Sequence, residues 1–277
     1  MSDEQHAHAR SFGAVADAYD RGRPTYPLEA ATWLTGPQPL TVLELGAGTG
    51  KLTRLLVELG HDVHATDPDR AMLDILERDL PDVRTSQSTA EEIPSGDRSY
   101  DVVVCAQAFH WFDRQVALPE IARVLRPGGV LSLVWNQRDE RIPWVKRLGA
   151  IIGSQDQLSE PAQALGTSRL FGEPLAATFK FWQVINRDSI KDLVQSRSNV
   201  AVLDPDARAR KLAEVLAFYD GFGRGMDGMQ LPYAAQCFRA PVTDRPDADE
   251  LEVEDRSSEP ERKSDGGDTE MLLIDFR

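Results

Sequence analysis

Cysteine is almost missing from this 277-residue chain: Cys105 and Cys237 are the whole complement, and no C-x-x-C pair exists. That excludes a disulfide framework and a cysteine-built zinc site. The five histidines, His6, His8, His61, His64 and His110, form no convincing ligand set, so no metal is expected. Long apolar runs are missing as well. Nothing approaches the roughly 18–20 apolar residues of a membrane helix. The first 20 residues hold no continuous apolar stretch of the signal-peptide kind. The expected location is therefore the cytoplasm, without a membrane partner. Positive charge is the third deficit: 31 Lys and Arg stand against 45 Asp and Glu, a formal net charge of −14. A body without a basic stripe is a poor match for duplex DNA or bulk RNA, and nucleic acid is not expected as a partner.

What is present concentrates in residues 42–50, where the apolar run Val42-Leu43-Glu44-Leu45 leads into Gly46-Ala47-Gly48-Thr49-Gly50. Leu52, Leu55, Leu56 and Leu59 follow at three- and four-residue intervals. The spacing predicts a strand, a glycine turn and a helix N-terminus, the first βα unit of a nucleotide-binding sheet. Glycines there allow backbone angles closed to other residues and let a ligand lie against the main chain. A dinucleotide fingerprint needs glycine at the position held by Lys51; here it comes one residue early, at Gly50. A second strand over residues 61–67 ends in Asp67, 21 residues beyond Gly46. A carboxylate so placed accepts hydrogen bonds from ribose hydroxyls; alternatively it caps a helix opening at Pro68.

The pattern E-x-G-x-G-x-G resembles motif I of class I S-adenosylmethionine-dependent methyltransferases. Further phrases occur in that family's order: Asp67 at a strand end, Ser88-Thr89-Ala90-Glu91-Glu92-Ile93-Pro94, then Gln107-Ala108-Phe109-His110-Trp111-Phe112, then Arg126-Pro127-Gly128-Gly129. The resemblance covers residues 10–239, with the cofactor half at 40–135. It is nearest to the methyltransferase type 11-like, small-molecule branch that includes trans-aconitate methyltransferase-like and actinobacterial enzymes. That branch is matched by Phe12, Tyr19, Arg23-Pro24-Thr25-Tyr26-Pro27 and Trp135-Asn136-Gln137-Arg138-Asp139. The place where amino-methylating DNA enzymes carry Asn/Asp-Pro-Pro-aromatic reads Ala106-Gln107-Ala108-Phe109.

The resemblance implies an α/β, Rossmann-like fold: a mostly parallel seven-stranded sheet with an antiparallel last strand and helices on both faces. It implies S-adenosylmethionine as cofactor and a small-molecule acceptor, including a carboxylate that is O-methylated. Gly46, Ala47, Gly48 and Gly50 would approach the methionine part and ribose, Asp67 the ribose diol, Ala90 and Glu91 the adenine, and Gln107 the methyl channel. Glu44 would either support the glycine loop or reach the methionine ammonium through water. His110 is the candidate catalytic or substrate-orienting group, against the plainer reading that it packs among its aromatic neighbours. Tyr19, Arg23, Tyr26, Phe109, Trp111 and Arg138 are expected on the acceptor side, with Arg197 a weaker candidate. Arg23 would pair with a carboxylate or else form a surface ion pair. Two rivals stand beside this reading, a non-catalytic adaptor that binds the cofactor and a nicotinamide-dependent oxidoreductase.

Along the chain, residues 1–9 read as a flexible start, followed by helices at 9–19 and 28–34. Residues 137–178 hold one helix, with Trp144, Leu148, Ile151 and Ile152 at helical spacing, and then a substrate-side loop. A sixth strand is expected at 179–185, helices at 187–196 and 205–219, and a last strand at 229–239, paired only after Pro232. From 240 to the end, 13 acidic and 5 basic residues accompany Pro and Ser without apolar periodicity. This tail reads as solvated and disordered. Its last apolar stretch, 271–276, is either a docking peptide for a protein partner or a plain extension.

Overall fold

The computed structural model describes residues 20–153, 168–197, 203–222 and 228–243, together with Leu165 and Val200. The expected N-terminal helix at 9–19, most of the substrate-side loop and the tail beyond Thr243 lie outside the described residues.

Seven strands form one sheet in the order β3-β2-β1-β4-β5-β7-β6. They are β1 (Thr41–Leu45), β2 (Asp62–Asp67), β3 (Arg84–Gln87), β4 (Tyr100–Ala106), β5 (Leu125–Arg138), β6 (Leu175–Ile185) and β7 (Met229–Pro241). Neighbours from β3 through β5 pair in parallel, and β7 runs antiparallel to both β5 and β6. Chain order reverses between β1 and β4, and the crevice at that switch point is where such sheets bind ligands.

The central strands read as unbroken apolar runs because both faces are covered. Val42, Val102, Val104 and Val134 pack with Ala30, Ala31 and Leu34 of α1 (Leu28–Thr35) and Leu52 and Leu56 of α2 (Lys51–Glu58). Leu43, Leu45, Val103, Cys105, Leu131 and Leu133 pack on the opposite face with Ala117, Leu118 and Ile121 of α4 (Arg114–Val124). Helix α3 (Arg70–Asp79) covers the β2 end through Leu73 and Leu76. A second core joins α5 (Pro143–Ile152), α6 (Ser189–Gln195) and α7 (Pro205–Gly221) to Ile185, Leu231 and Tyr233. Both cysteines are completely buried and unlinked, and burial pushes the Cys105 thiol far above its ordinary range.

Helix starts follow side-chain chemistry. Asp69, Asp113 and Asp204 each accept a hydrogen bond from an amide in the first turn of α3, α4 and α7. Asp69 is thus the cap in front of α3, and Asp67 is left for another role. The helix expected from 187 begins at Ser189, because the Asn186 side chain accepts from the Asp188 and Ser189 amides and holds the entry turn.

The last strands differ from expectation. β6 starts at Leu175 and β7 continues to Pro241. Pro232 lies inside β7 and is paired opposite Trp182. β5 has already ended there, since its last residue, Arg138, faces Tyr233. The Pro232 carbonyl accepts from the Asp139 amide, so the missing N–H is directed to the same side, beyond the β5 ladder.

Candidate functional site

The glycine turn leaves β1 with φ of +68° at Gly46, +57° at Gly48 and +84° at Gly50. Its shape is closed by the Ala47 amide on the Thr66 carbonyl and the Gly50 amide on the Ala47 carbonyl, at 2.9 and 3.0 Å. Close approach adds to the conformational demand. A Cβ on Gly46 would lie 2.5 Å from the Ala108 Cβ, and one on Gly50 2.9 Å from Leu76 Cγ. Gly46 therefore ties the turn to the loop after β4, and Gly50 ties it to α3.

Two acids frame the turn. Asp67 ends β2 almost fully buried, with Oδ2 accepting from the Gly48 amide and Oδ1 from the Asp69 amide, both at 2.9 Å. Burial raises its pKa to about 6 against the pull of those two amides. Two such bonds fix the carboxylate beside the glycine turn, and its remaining lone pairs suit a diol. Glu44 is 1 % exposed, and its carboxylate accepts from the Thr53 hydroxyl of α2 at 2.6 Å. Burial raises Glu44 to about 8, opposed by Thr53 and reinforced by Asp67. Glu44 thus secures α2 to β1.

This burial has a consequence for stability. The folded pKa of Glu44 lies above its ordinary value of 4.5, so Glu44 favours folding less and less as pH rises from about 4.5 to about 8, after which the effect is level. Glu44→Gln keeps an acceptor for Thr53 without the charge. The variant should match wild type in thermal melts at pH 4.5 and gain on the order of 1–3 kcal/mol at pH 8. A constant difference across that range would refute the assignment.

The loop after β3 is tied to both neighbours. The Ser88 amide donates to the Asp67 carbonyl at 3.3 Å. Ala90 is buried in the core, and the Glu91 carboxylate accepts from the Asp113 amide at 2.7 Å, joining the loop to the start of α4. Behind it runs a buried line in which Ser86 and the Tyr100 hydroxyl bond the two ring nitrogens of His64, and Ser95 bonds Tyr100. Burial lowers His64 to about 4. His61 is likewise structural, lying between Thr35 and the Leu40 amide. Among the described residues no group of potential metal ligands occurs.

After β4, Gln107 takes φ of +61° while its amide donates to the Val134 carbonyl at 2.9 Å. A non-glycine residue there costs about 1–2 kcal/mol, a strain that concentrates at functional loops. The F-H-W-F phrase divides. Phe109, expected on the acceptor side, is 1 % exposed and lies edge-on to Phe112 and Trp135 at 5.8 and 6.4 Å, a core residue. Its place in a short 3₁₀ turn (Phe109–Trp111) directs it inward and leaves His110 exposed. The His110 and Trp111 rings meet at 4.6 Å.

The segment before α1 lies across these parts. Asp20 accepts from the Thr49 hydroxyl at 2.9 Å and meets the Lys51 ammonium at 3.5 Å, so the residue replacing a third glycine serves as a tether. Further along, Gln183 donates to the Gly22 carbonyl, Arg23 to the Ser196 carbonyl and Asn136 to the Thr25 carbonyl, each at 3.0 Å. Tyr26, expected on the acceptor side, is buried in the core with α1 and α2. Tyr19 lies outside the described residues. Arg138 is buried at the end of β5 and donates to the Gly153 carbonyl at 2.9 Å and to Glu140 at 3.1 Å. The sequence reading missed Asp20, Thr53 and Tyr233. None sits in a glycine-rich or aromatic phrase, and only the folded chain brings Asp20 to Thr49 or Tyr233 to Arg138.

Comparison with known proteins agrees with this geometry. Residues 43–133 match the family model described as "Methyltransferase domain". An uncharacterized methyltransferase of Mycobacterium tuberculosis is 45 % identical over 237 residues, 83 % of this chain and 95 % of its own length. One from Schizosaccharomyces pombe is 34 % identical over 215 residues, 74 % of this chain and 86 % of its own. Among solved structures, a provisionally assigned type II methyltransferase of Anaeromyxobacter dehalogenans superposes with a TM-score of 0.58 at 25 % identity, covering 79 % of this chain and 97 % of that one.

Proposed function

This chain belongs to the S-adenosylmethionine-dependent methyltransferases, and we propose that it methylates a small molecule, at a carboxylate oxygen. The observation that carries the cofactor side is the Asp67 carboxylate held against the Gly48 amide at 2.9 Å, within a turn of three positive-φ glycines. The donor set fits the cofactor. A carboxylate at a strand end takes a ribose diol, the open main chain takes the methionine part, and no phosphate cradle is called for.

When bound, S-adenosylmethionine supplies a methyl group on a cationic sulfur that leaves as a neutral thioether. The protein's work is positioning and exclusion of water rather than heavy acid–base chemistry. Gln107, His110 and Trp111 border the methyl side, and electron-rich ring faces favour a sulfonium. The segment from Asp20 to Pro27 covers the turn. A carboxylate acceptor is already deprotonated at neutral pH, so His110 orients the acceptor without having to remove a proton. Support for an anionic small molecule comes from the arginines on the acceptor side, Arg23, Arg138 and Arg197, within a chain whose net charge is −14. The acidic balance speaks against nucleic acid, and among the described residues no helix is long and apolar enough to cross a membrane.

Isothermal titration with S-adenosylmethionine, S-adenosylhomocysteine and NAD tests the cofactor assignment. Saturable binding of the two sulfur compounds and none of NAD is expected, followed by methyl transfer in a panel of carboxylic acids. Turnover confined to amine or phenol acceptors would overturn the carboxylate reading.

A further inference from the structure

Strand β6 forms one edge of the sheet and pairs with β7 along its whole length. The phase of that pairing fixes which main-chain groups face outward. Pro232 directs its carbonyl to the Asp139 amide, toward β5, so its neighbours Leu231 and Tyr233 face β6 and bond Gln183 and Phe181 opposite them. The amides and carbonyls of Ala176, Thr178, Lys180, Trp182 and Val184 therefore point away from the sheet. Among the described residues no main-chain group bonds them. Their side chains share one face of the strand, and all five are exposed. Leu175, Trp182 and Val184, at 66, 61 and 59 %, are the three most exposed large apolar side chains among the described residues. The opposite edge, β3, is four residues long and starts at Arg84, and a short charged edge resists pairing. β6 has 11 residues with one charge, Lys180, and no acid, in a chain with 45 acids. It is an edge at which two acidic bodies can approach.

We propose that β6 is the docking edge for a second copy of this chain, which adds antiparallel about a two-fold axis at Phe181. Outward main-chain groups must meet outward groups, so the axis passes through a residue of the strand. Centring on Lys180 sets two ammonium groups against each other. Centring on Trp182 leaves the ammonium against the partner's Val184, and centring on Phe179 leaves Val184 opposite Pro174, past the strand end. Centring on Phe181 sets Lys180 beside the partner's Trp182 and Thr178 beside the partner's Val184, each twice by symmetry. A cation at an indole face and a pair of β-branched side chains are both favourable cross-strand neighbours. One edge carries both halves of the match, which is what a second copy supplies. The pairing consumes β6 of both copies and leaves only β3 at either end, so assembly stops at two. Thr178 and Lys180 also line a cavity of about 580 Å³ at the end of β5, with Gln137 and Gln236. In this register the partner's Trp182 and Val184 stand at the rim of that cavity. Pairing also steadies β6, whose Gln183 holds the Gly22 carbonyl of the covering segment.

The inference stands apart from the cofactor and acceptor assignments. Sedimentation equilibrium of the full chain is followed over a concentration series for wild type, for Trp182→Lys, and for the swap that combines Lys180→Trp with Trp182→Lys. The expected result is a wild-type mass rising toward twice the monomer, at lower concentration when salt is added, because two acidic bodies repel. Trp182→Lys sets lysine against lysine at two places and should raise the dissociation constant at least about tenfold. The swap restores a lysine–tryptophan pair in the same register and should recover most of that loss. A wild type that stays monomeric across the series, a dimer untouched by Trp182→Lys, or a swap no tighter than the single substitution overturns the proposal. Hydrogen exchange of wild type gives a readout without a variant: the amides of Thr178, Lys180, Trp182 and Val184 should exchange more slowly as the dimer fills. Protection of the same amides in a monomeric chain means that something else occupies the edge, and overturns the proposal too. Should Trp182→Lys fail to fold, the exchange series decides.

Discussion

Asp67→Ala should lose at least about 100-fold in affinity for both S-adenosylmethionine and S-adenosylhomocysteine, read by isothermal titration. Two hydrogen bonds from a diol to an ionised acceptor are together worth roughly 3–6 kcal/mol, and the alanine supplies neither. The same change removes the acceptor of the Gly48 amide and loosens the turn that carries the rest of the ligand. Removing the charge while keeping an acceptor should not lower stability. Burial raises Asp67 to about 6, so above that pH the ionised carboxylate opposes folding. Asp67→Asn keeps an acceptor oxygen for one of the two amides without the charge. It should melt no lower than wild type at pH 8 while binding at least about tenfold worse. A variant that loses binding only because it unfolds would contradict this account.

Gly46→Ala should damage the glycine turn through both backbone angle and contact. The residue needs φ of +68°, and the new Cβ would lie 2.5 Å from the Ala108 Cβ. A left-handed alanine costs about 1–2 kcal/mol and overpacking a further 1–3, out of a total stability of roughly 5–15 kcal/mol. Ala108 has no flexible end to swing aside, so the backbone of one loop must shift. Urea denaturation should show a loss of about 2–5 kcal/mol, and the glycine turn and the loop after β4 should both be displaced. Ala108→Gly on top of Gly46→Ala relieves the contact but not the angle. It should recover part of the loss, and a purely additive double mutant would show that the two loops do not press on each other.

Much of the cofactor half is legible in the sequence because its constraints are local. Glycines at 46, 48 and 50 announce a turn, and the strand-end acid follows at Asp67, whereas the helix cap that the sequence allowed at Asp67 is supplied by Asp69. The division of F-H-W-F was not legible: a 3₁₀ turn, absent from any simple periodicity, decides that Phe109 goes inward and His110 outward. Tyr26 joined Arg23 in one sequence phrase, yet the turn into α1 directs it to the core. Pro232 misled for a related reason, since its tolerance depends on where β5 happens to end. The acceptor-side arginines were hardest of all, because Arg23, Arg138 and Arg197 meet only through tertiary structure.

The complete burial of Cys105 and Cys237 makes the folded chain silent toward thiol reagents. Turnover can therefore be followed continuously in the presence of a chromogenic disulfide, with the homocysteine thiol released from the spent cofactor by a coupling hydrolase as the source of colour. The same silence supplies a clock. In the absence of substrate, the slow appearance of two protein thiols counts molecules opening their central sheet, one cysteine from β4 and one from β7. A ligand that slows that clock is recognised by the native fold.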